Sequence, residues 1–226
     1  MGVDKLWADL GGRPLLAWPI ATFAACDCIQ ELVIVASTPN VNRVERLLSD
    51  LRVRARVVPG GERRRDSVRA GLEALGDVEW VVVHDAARPL LTRALVTDGL
   101  EAARATGAAI AAVPAVDTIK TVRDGEVVGT LARETLWAAQ TPQVFRFELL
   151  LEAHRAVSDD VTDDAALVEA IGARVRVYMG AYANIKVTSP VDLQLAALLV
   201  SENERLLAEP VASEAPAAGD RRAEDA

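Results

Sequence analysis

Through the first half of the chain, apolar runs of strand length alternate with stretches whose apolar residues recur every three or four positions. Glu31–Ser37 (ELVIVAS) is β-branched and bounded by turn residues, which predicts a buried strand. Thr38-Pro39 caps a predicted helix through Asp50, with Val41, Val44, Leu47 and Leu48 on one face. Arg52–Val58 alternates as RVRARVV, a strand with one solvated face or near a sheet edge. A Pro-Gly-Gly turn at 59–61 leads into a helix from Arg64 to Leu75. Trp80–His84 (WVVVH), Thr92–Thr106 and Ala108–Val113 then predict strand, helix and strand.

The rhythm breaks after residue 114. Asp117–Arg123, the dipeptide Asp124-Gly125 and Glu126–Leu131 predict a hairpin with a type I′ turn, an arm over about 114–135. Helices follow over Arg146–Val157 and Asp163–Ile171, then a strand over Arg174–Met179. A last helix opens with a Ser189-Pro190 cap. Repeated strand–helix–strand units imply an α/β fold: a Rossmann-like, mostly parallel sheet with helices on both faces and a protruding β-hairpin arm. Residues 1–207 are expected to form the domain. The remainder, 208–226, rich in Ala, Pro and acids, reads as a disordered tail.

Composition narrows the class. No apolar run approaches the ~18–20 residues that a spanning helix needs, so no membrane role is expected. The mixed-charge start MGVDKLWADLGGR is unlike a signal peptide. Two cysteines one residue apart, Cys26 and Cys28, suit a reducing cytoplasm. A net charge of −8, with no basic patch interleaved with aromatics, disfavours nucleic acid as a partner. Of the 25 basic residues only Lys5, Lys120 and Lys186 are lysines. A lysine that survives in so arginine-rich a chain marks a place where a compact ammonium can be needed, although chance explains any single position equally well.

Three segments carry candidate chemistry. His84-Asp85-Ala86-Ala87-Arg88-Pro89 follows a buried strand, where open α/β sheets bind ligands. There Asp85 can orient a sugar hydroxyl or hydrated cation and Arg88 a phosphate, or the two can pair to hold the loop. His84 reads as a strand-end core residue. Pro59-Gly60-Gly61-Glu62-Arg63-Arg64-Arg65 is a glycine turn into a helix N-terminus, able to meet an anion or a base edge, though such runs commonly just solvate a helix. Asn184-Ile185-Lys186 sets a lysine between apolar positions. Thr141-Pro142-Gln143 and Thr162-Asp163-Asp164-Ala165 read as polar turns, each more a cap than a site. No zinc spacing, nucleophile elbow or intact glycine-rich phosphate loop occurs.

Taken in order, VDK at 3–5, PGGERRRDSV at 59–68, VVHDAARP at 82–89, DTIK at 117–120, LW…QTPQVF at 136–145, TDDA at 162–165 and NIKVTSPVDL at 184–193 resemble the 2-C-methyl-D-erythritol 4-phosphate cytidylyltransferase family. The resemblance implies transfer of a cytidylyl group from CTP to a polyol phosphate with release of pyrophosphate, and Mg2+ bound mainly through the CTP phosphates. It makes Lys5 the cation on the reacting phosphates. Gly61, Glu62 and Ser67 would read the cytosine, with Glu62 standing where the family often has Asp. Asp85, Ala86 and Arg88 would meet the nucleotide ribose, the metal shell or the polyol. Arg133 and Lys186 would hold the polyol phosphate, with Thr118, Thr141 and Thr162 nearby. The arm would exchange within a homodimer, so that Arg133 serves the partner's site.

The departure from the family pattern is at the start. A first strand and an Ala-Ala-Gly-x-Gly-x-Arg loop have no counterpart, and Met1-Gly2 matches the close of that motif. The expectation is an internal methionine start, a gap in the sheet, and low stability and activity of the chain as it stands. Ribitol 5-phosphate as substrate, or a non-catalytic nucleotide-binding homologue, are the other readings.

Overall fold

Residues 3–158 and 161–208 are described by the computed structural model; the expected disordered tail lies, from residue 209 on, outside the described residues. A 3-10 turn at Val3–Trp7 and a short hairpin, β1 (Asp9–Leu10) with β2 (Arg13–Pro14), lead into α1 (Ala17–Ala24). These elements leave little periodic trace. The strands are two residues each, and α1 carries one polar side chain, burying Ala17, Pro19, Ile20 and Phe23.

The predicted alternation follows: β3 (Val33–Ala36), α2 (Val41–Leu51), β4 (Arg56–Pro59), α3 (Arg64–Ala74), β5 (Trp80–Val83), α4 (Arg93–Ala103) and β6 (Ala108–Pro114). A 3-10 turn at Thr38–Asn40 precedes α2, which buries Val44, Leu47 and Leu48 as its spacing predicts. The α2 helix ends in left-handed Arg52, so the alternating run becomes a strand only from Arg56. Thr92 Oγ1 accepts the Leu95 amide at 3.2 Å and starts α4.

The arm is β7 (Lys120–Arg123) paired antiparallel with β8 (Glu126–Thr130). Asp124 and Gly125 turn it with φ of 52° and 84°, the pair of positive angles that a type I′ turn requires. Then come β9 (Trp137–Arg146), α5 (Phe147–Ala156), α6 (Asp164–Ala170), β10 (Arg176–Met179) and α7 (Pro190–Ala208). Ser189 and Asp192 cap α7 reciprocally: Asp192 Oδ2 accepts the Ser189 amide at 2.7 Å, and Ser189 Oγ accepts that of Asp192 at 3.2 Å.

The four-stranded sheet has the order β10-β6-β9-β5. β10 and β6 are parallel, whereas β9 runs antiparallel to both its neighbours. The sequence reading has no strand at β9, because Gln140, Thr141 and Pro142 interrupt its apolar run. The register with β6 shifts between Ile110 and Ala112, so Pro142 falls at an irregularity where a missing N–H leaves no rung open.

Alternate residues of β6 serve opposite helix layers. Ala108 and Ile110 join Leu150, Leu167 and Val168 of α5 and α6, while Ala109 packs with Ala103 of α4. β3 and β4 form a separate parallel pair, with β4 at the edge. Among the described residues no ladder joins β3 to β5; a cavity of about 590 Å³, lined by Val33, Val35, Val81 and Val83, lies between them.

α4 approaches the sheet closely at Gly99, where a Cβ would lie 2.7 Å from Tyr178 Oη and 2.9 Å from Val144 Cγ2. Ala improves a helix interior by roughly 0.5–1 kcal/mol over Gly, but overpacking costs about 1–3 kcal/mol. The clash wins. Gly99→Ala is expected to lower the urea midpoint by the equivalent of about 1 kcal/mol or more with an unchanged m-value.

Candidate active site

Several segments converge at the C-terminal end of β5, the ligand-binding side of open α/β sheets. The loop after β5 brings His84, Asp85 and Arg88, the start of α3 brings Arg64, β9 brings Thr141, and the loop before α7 brings Lys186. Asp85 is their common partner. Lys186 Nζ lies 2.8 Å from its carboxylate, Arg64 Nε 3.8 Å and Arg88 Nε 3.9 Å. Burial works to raise the Asp85 pKa, but the Lys186 hydrogen bond and the charges of Lys186, Arg64 and Arg88 outweigh it and hold the carboxyl below its ordinary value.

Each cation is braced from behind. Arg64 Nη2 meets Asp164 Oδ2 at 2.7 Å, and His154 Nε2 lies 3.3 Å from the other oxygen of that fully buried carboxylate. Arg88 donates through Nη1 to the Asn184 carbonyl at 2.7 Å and through Nη2 to that of Ala139 at 3.4 Å. The Lys186 loop is pinned by buried amides. Asn184 Nδ2 donates to the Thr141 carbonyl at 2.8 Å and to Gln140 Oε1 at 3.3 Å, and Gln140 Nε2 donates to the Ala181 carbonyl at 2.9 Å. Gly180 is needed there, since a Cβ would sit 2.5 Å from Gln140 Oε1.

His84 is half-buried, with Nε2 3.0 Å from the Arg88 carbonyl and Nδ1 3.0 Å from Thr141 Oγ1. Thr141 Oγ1 also accepts the Asp85 amide at 3.0 Å. Burial lowers the His84 pKa to about 4, so the ring is neutral near pH 7.

Of the residues singled out from sequence, Asp85, Arg88, Lys186 and Thr141 meet directly. Ala86, Leu6 and Trp7 each pack against the buried cluster of Leu16, Ala17, Ile20 and Val44, and half-buried Lys5 directly precedes Leu6 in the first turn. Ser67 Oγ lies 3.4 Å from the Gly61 carbonyl at the start of α3, and Glu62 is exposed beside it. The cavity between β3 and β5 opens here, with Arg64, Ser67 and Asp85 among its lining. Thr118 is exposed on the arm, and Arg133 Nη1 donates to the Val116 carbonyl at the arm's base at 2.9 Å. Thr162 is exposed one residue before Asp163, the cap of α6. Among the described residues, no hydrogen bond or ion pair of Thr118, Arg133 or Thr162 reaches the Asp85 cluster.

Thr141 is a strand residue rather than the turn cap expected, and buried. Sequence reasoning passed over Arg64, Asp164, His154 and Gln140. Arg64 was one of three consecutive arginines, and only the helix phase of α3 separates it from Arg65, which turns away to donate to the His154 carbonyl at 3.1 Å.

A family model for 2-C-methyl-D-erythritol 4-phosphate cytidylyltransferase matches residues 1–202. The chain belongs to this family. It is 43% identical over 204 residues to the 2-C-methyl-D-erythritol 4-phosphate cytidylyltransferase of Dehalococcoides mccartyi, covering 89% of this chain and 90% of that one. It is 44% identical over 209 residues to the enzyme of that name from Symbiobacterium thermophilum, covering 90% and 88%. Among solved structures, the family's Thermus thermophilus enzyme superposes with a TM-score of 0.74 at 35% identity, covering 88% of this chain and 94% of that one. The 4-diphosphocytidyl-2C-methyl-D-erythritol synthase of Anaerococcus prevotii superposes with a TM-score of 0.79 at 30% identity, covering 85% and 88%. The family's Rossmann-like α/β fold is therefore this chain's fold.

The residues present offer a divalent cation little of their own. Among the described residues no three His, Cys, Asp or Glu side chains group as ligands, and Asp85 is the carboxylate at the site's mouth. A Mg2+ fits here only if substrate phosphates supply most of its oxygens, the usual arrangement for that ion.

His84 also sets a pH dependence. Its folded pKa of about 4 lies below the unfolded 6.5, so between those values the unfolded chain binds the extra proton. This contribution is intact above pH 6.5 and is lost as pH falls towards 4. Urea unfolding is expected to show a loss of about 2 kcal/mol between pH 7 and 5 from this group. A His84→Gln variant should show a correspondingly flatter profile over that range.

Proposed function

We propose that this chain transfers the cytidylyl group of CTP to 2-C-methyl-D-erythritol 4-phosphate, giving 4-diphosphocytidyl-2-C-methyl-D-erythritol and pyrophosphate. The observation that carries this reading is the cluster of Lys186, Arg64 and Arg88 around Asp85 at the sheet's ligand-binding end. A phosphate oxygen of the polyol phosphate attacks the α-phosphorus of CTP in line. The bond to the β-phosphate oxygen breaks, and pyrophosphate leaves with the electron pair. The attacking dianion carries no proton that must be removed, so the chain's work is positioning and charge neutralisation.

Lys186, placed by Asp85 before substrate arrives, holds the polyol phosphate; Arg133, Thr118 and Thr162 complete that subsite. Lys5 neutralises the reacting phosphates. Gly61, Glu62 and Ser67 read the cytosine at the turn before α3. Asp85, Ala86 and Arg88 frame the ribose and the polyol. Asp85 would meet the shell of a Mg2+ bound mainly through the CTP phosphates, and that ion would supply further charge neutralisation there.

The arm supports a homodimer. Val116, Val122, Val127, Val128 and Leu131 are exposed on it, and an isolated two-stranded hairpin is marginal in water. A second copy of this chain covers them and receives Arg133. No helix among the described residues is long and apolar enough to cross a membrane. With free Cys26 and Cys28, a reducing cytoplasm suits the chain.

Pyrophosphate release with CTP and each polyol phosphate tests the activity; preference for ribitol 5-phosphate would overturn the substrate assignment. Lys186→Ala is expected to raise the KM for the polyol phosphate about tenfold or more, the effect of losing a charge-assisted contact. An effect confined to CTP would contradict the role given to Lys186. Sedimentation at micromolar concentration is expected to show a dimer, and a monomer would refute the assembly.

A further inference from the structure

With the ring uncharged, the hydrogen bonds around His84 admit one arrangement of protons. The Arg88 carbonyl at Nε2 can only accept, so the ring proton sits on Nε2. A neutral ring then leaves Nδ1 bare, and its partner 3.0 Å away, the Thr141 hydroxyl, must donate its single proton there. The same oxygen already accepts the Asp85 amide. Phe23 packs edge-on against the ring with centroids 5.5 Å apart and closes that side. The Thr141 hydroxyl is therefore left with one lone pair and no proton for a substrate phosphate.

We propose that His84 is a positioning residue for the transfer: locked in one tautomer by the Arg88 carbonyl, it orients Thr141 as a strut under the Asp85 backbone, so that Thr141 acts through Asp85 instead of by donating to substrate. Its kinetic consequence rests on the cytidylyl-transfer reading above. The chain Arg88 carbonyl, His84, Thr141, Asp85 amide ends on the carboxylate that places Lys186. An error in that backbone is passed directly to the ammonium.

Nitrogen NMR of the histidine-labelled chain reads the tautomer without substrate, so its outcome is separate from that of the functional reading. The chain has two histidines, and His84→Gln assigns the signals. A protonated Nε2 beside a bare Nδ1 is expected at pH 7; a protonated Nδ1 overturns the proposal. In turnover, Thr141→Val and His84→Gln are each expected to raise the polyol phosphate KM on the order of tenfold, the direction given above for Lys186→Ala, with a smaller change in the CTP KM. The double variant is expected to lose no more than the worse single, because both cut one chain. Thr141→Ser keeps the hydroxyl and is expected to recover most of the loss. Losses that multiply, or a Thr141→Val effect that His84→Gln does not share, overturn the proposal, since either would mark a hydroxyl that serves substrate directly. Should His84→Gln melt below the assay temperature, the Val and Ser variants of Thr141 decide the matter alone.

Discussion

A single partly buried carboxylate organises the ligand end of this molecule. Lys186, Arg64 and Arg88 come from three different segments and would repel one another without Asp85 among them. At the screening typical of a protein surface, a pair of charges about 4 Å apart interacts by about 4 kcal/mol before desolvation is counted. Withdrawing the same groups from water costs a comparable amount. The cluster therefore adds little net stability. What it supplies is geometry, because each cation has one place where its charge is answered.

That geometry reaches the backbone through β9. Gln140, Thr141 and Gln143 are all buried in this strand, and each has partners that fix a loop beyond it. Gln140 holds the 180–184 turn, Thr141 holds Asp85, and Gln143 Nε2 donates to Asp163 Oδ2 at 2.9 Å at the cap of α6. Gathering polar side chains on an inner strand is costly unless every one is paired. Here the pairing ties the Lys186 loop, the Asp85 loop and the start of the Asp164 helix to one rigid element, so two loops and a helix share one reference frame.

The layered fold was largely legible. β3, β5, β6 and the helices between them announce themselves through period and caps, and Asp124-Gly125 through its turn chemistry. β9 was hidden because the residues that make it functionally important are polar and include a proline, the features that argue against an inner strand. α1 was hidden for the opposite reason, since a helix buried nearly all round has no amphipathic period. At the site, Asp85 and Lys186 were legible from motif and position. Arg64 and Asp164 were not, because their meaning lies in contacts across 21 and 100 residues of sequence, which no local window contains: Arg64 with Asp85 and with Asp164. His154 joins them only through Asp164, ten residues on.

Scarcity of lysine was a partial guide, and the contrast between two positions shows why. Lys120 donates to Thr130 Oγ1 across the exposed arm at 2.8 Å, a contact that places no special demand on an ammonium. Lys186 is different. It approaches Asp85 to 2.8 Å while guanidinium nitrogens of Arg64 and Arg88 stand 3.8 and 3.9 Å from the same carboxylate, which a third planar fork would have to share. A compact, rotatable ammonium can share it and turn a proton towards an anion without leaving its carboxylate. Arg88 shows the converse: its fork spans the Asn184 and Ala139 carbonyls, two acceptors that a single ammonium could not bridge in the same way. On the proposed function the site divides its cations by shape: the Arg88 fork holds two backbone carbonyls, and the Lys186 point charge meets a phosphate.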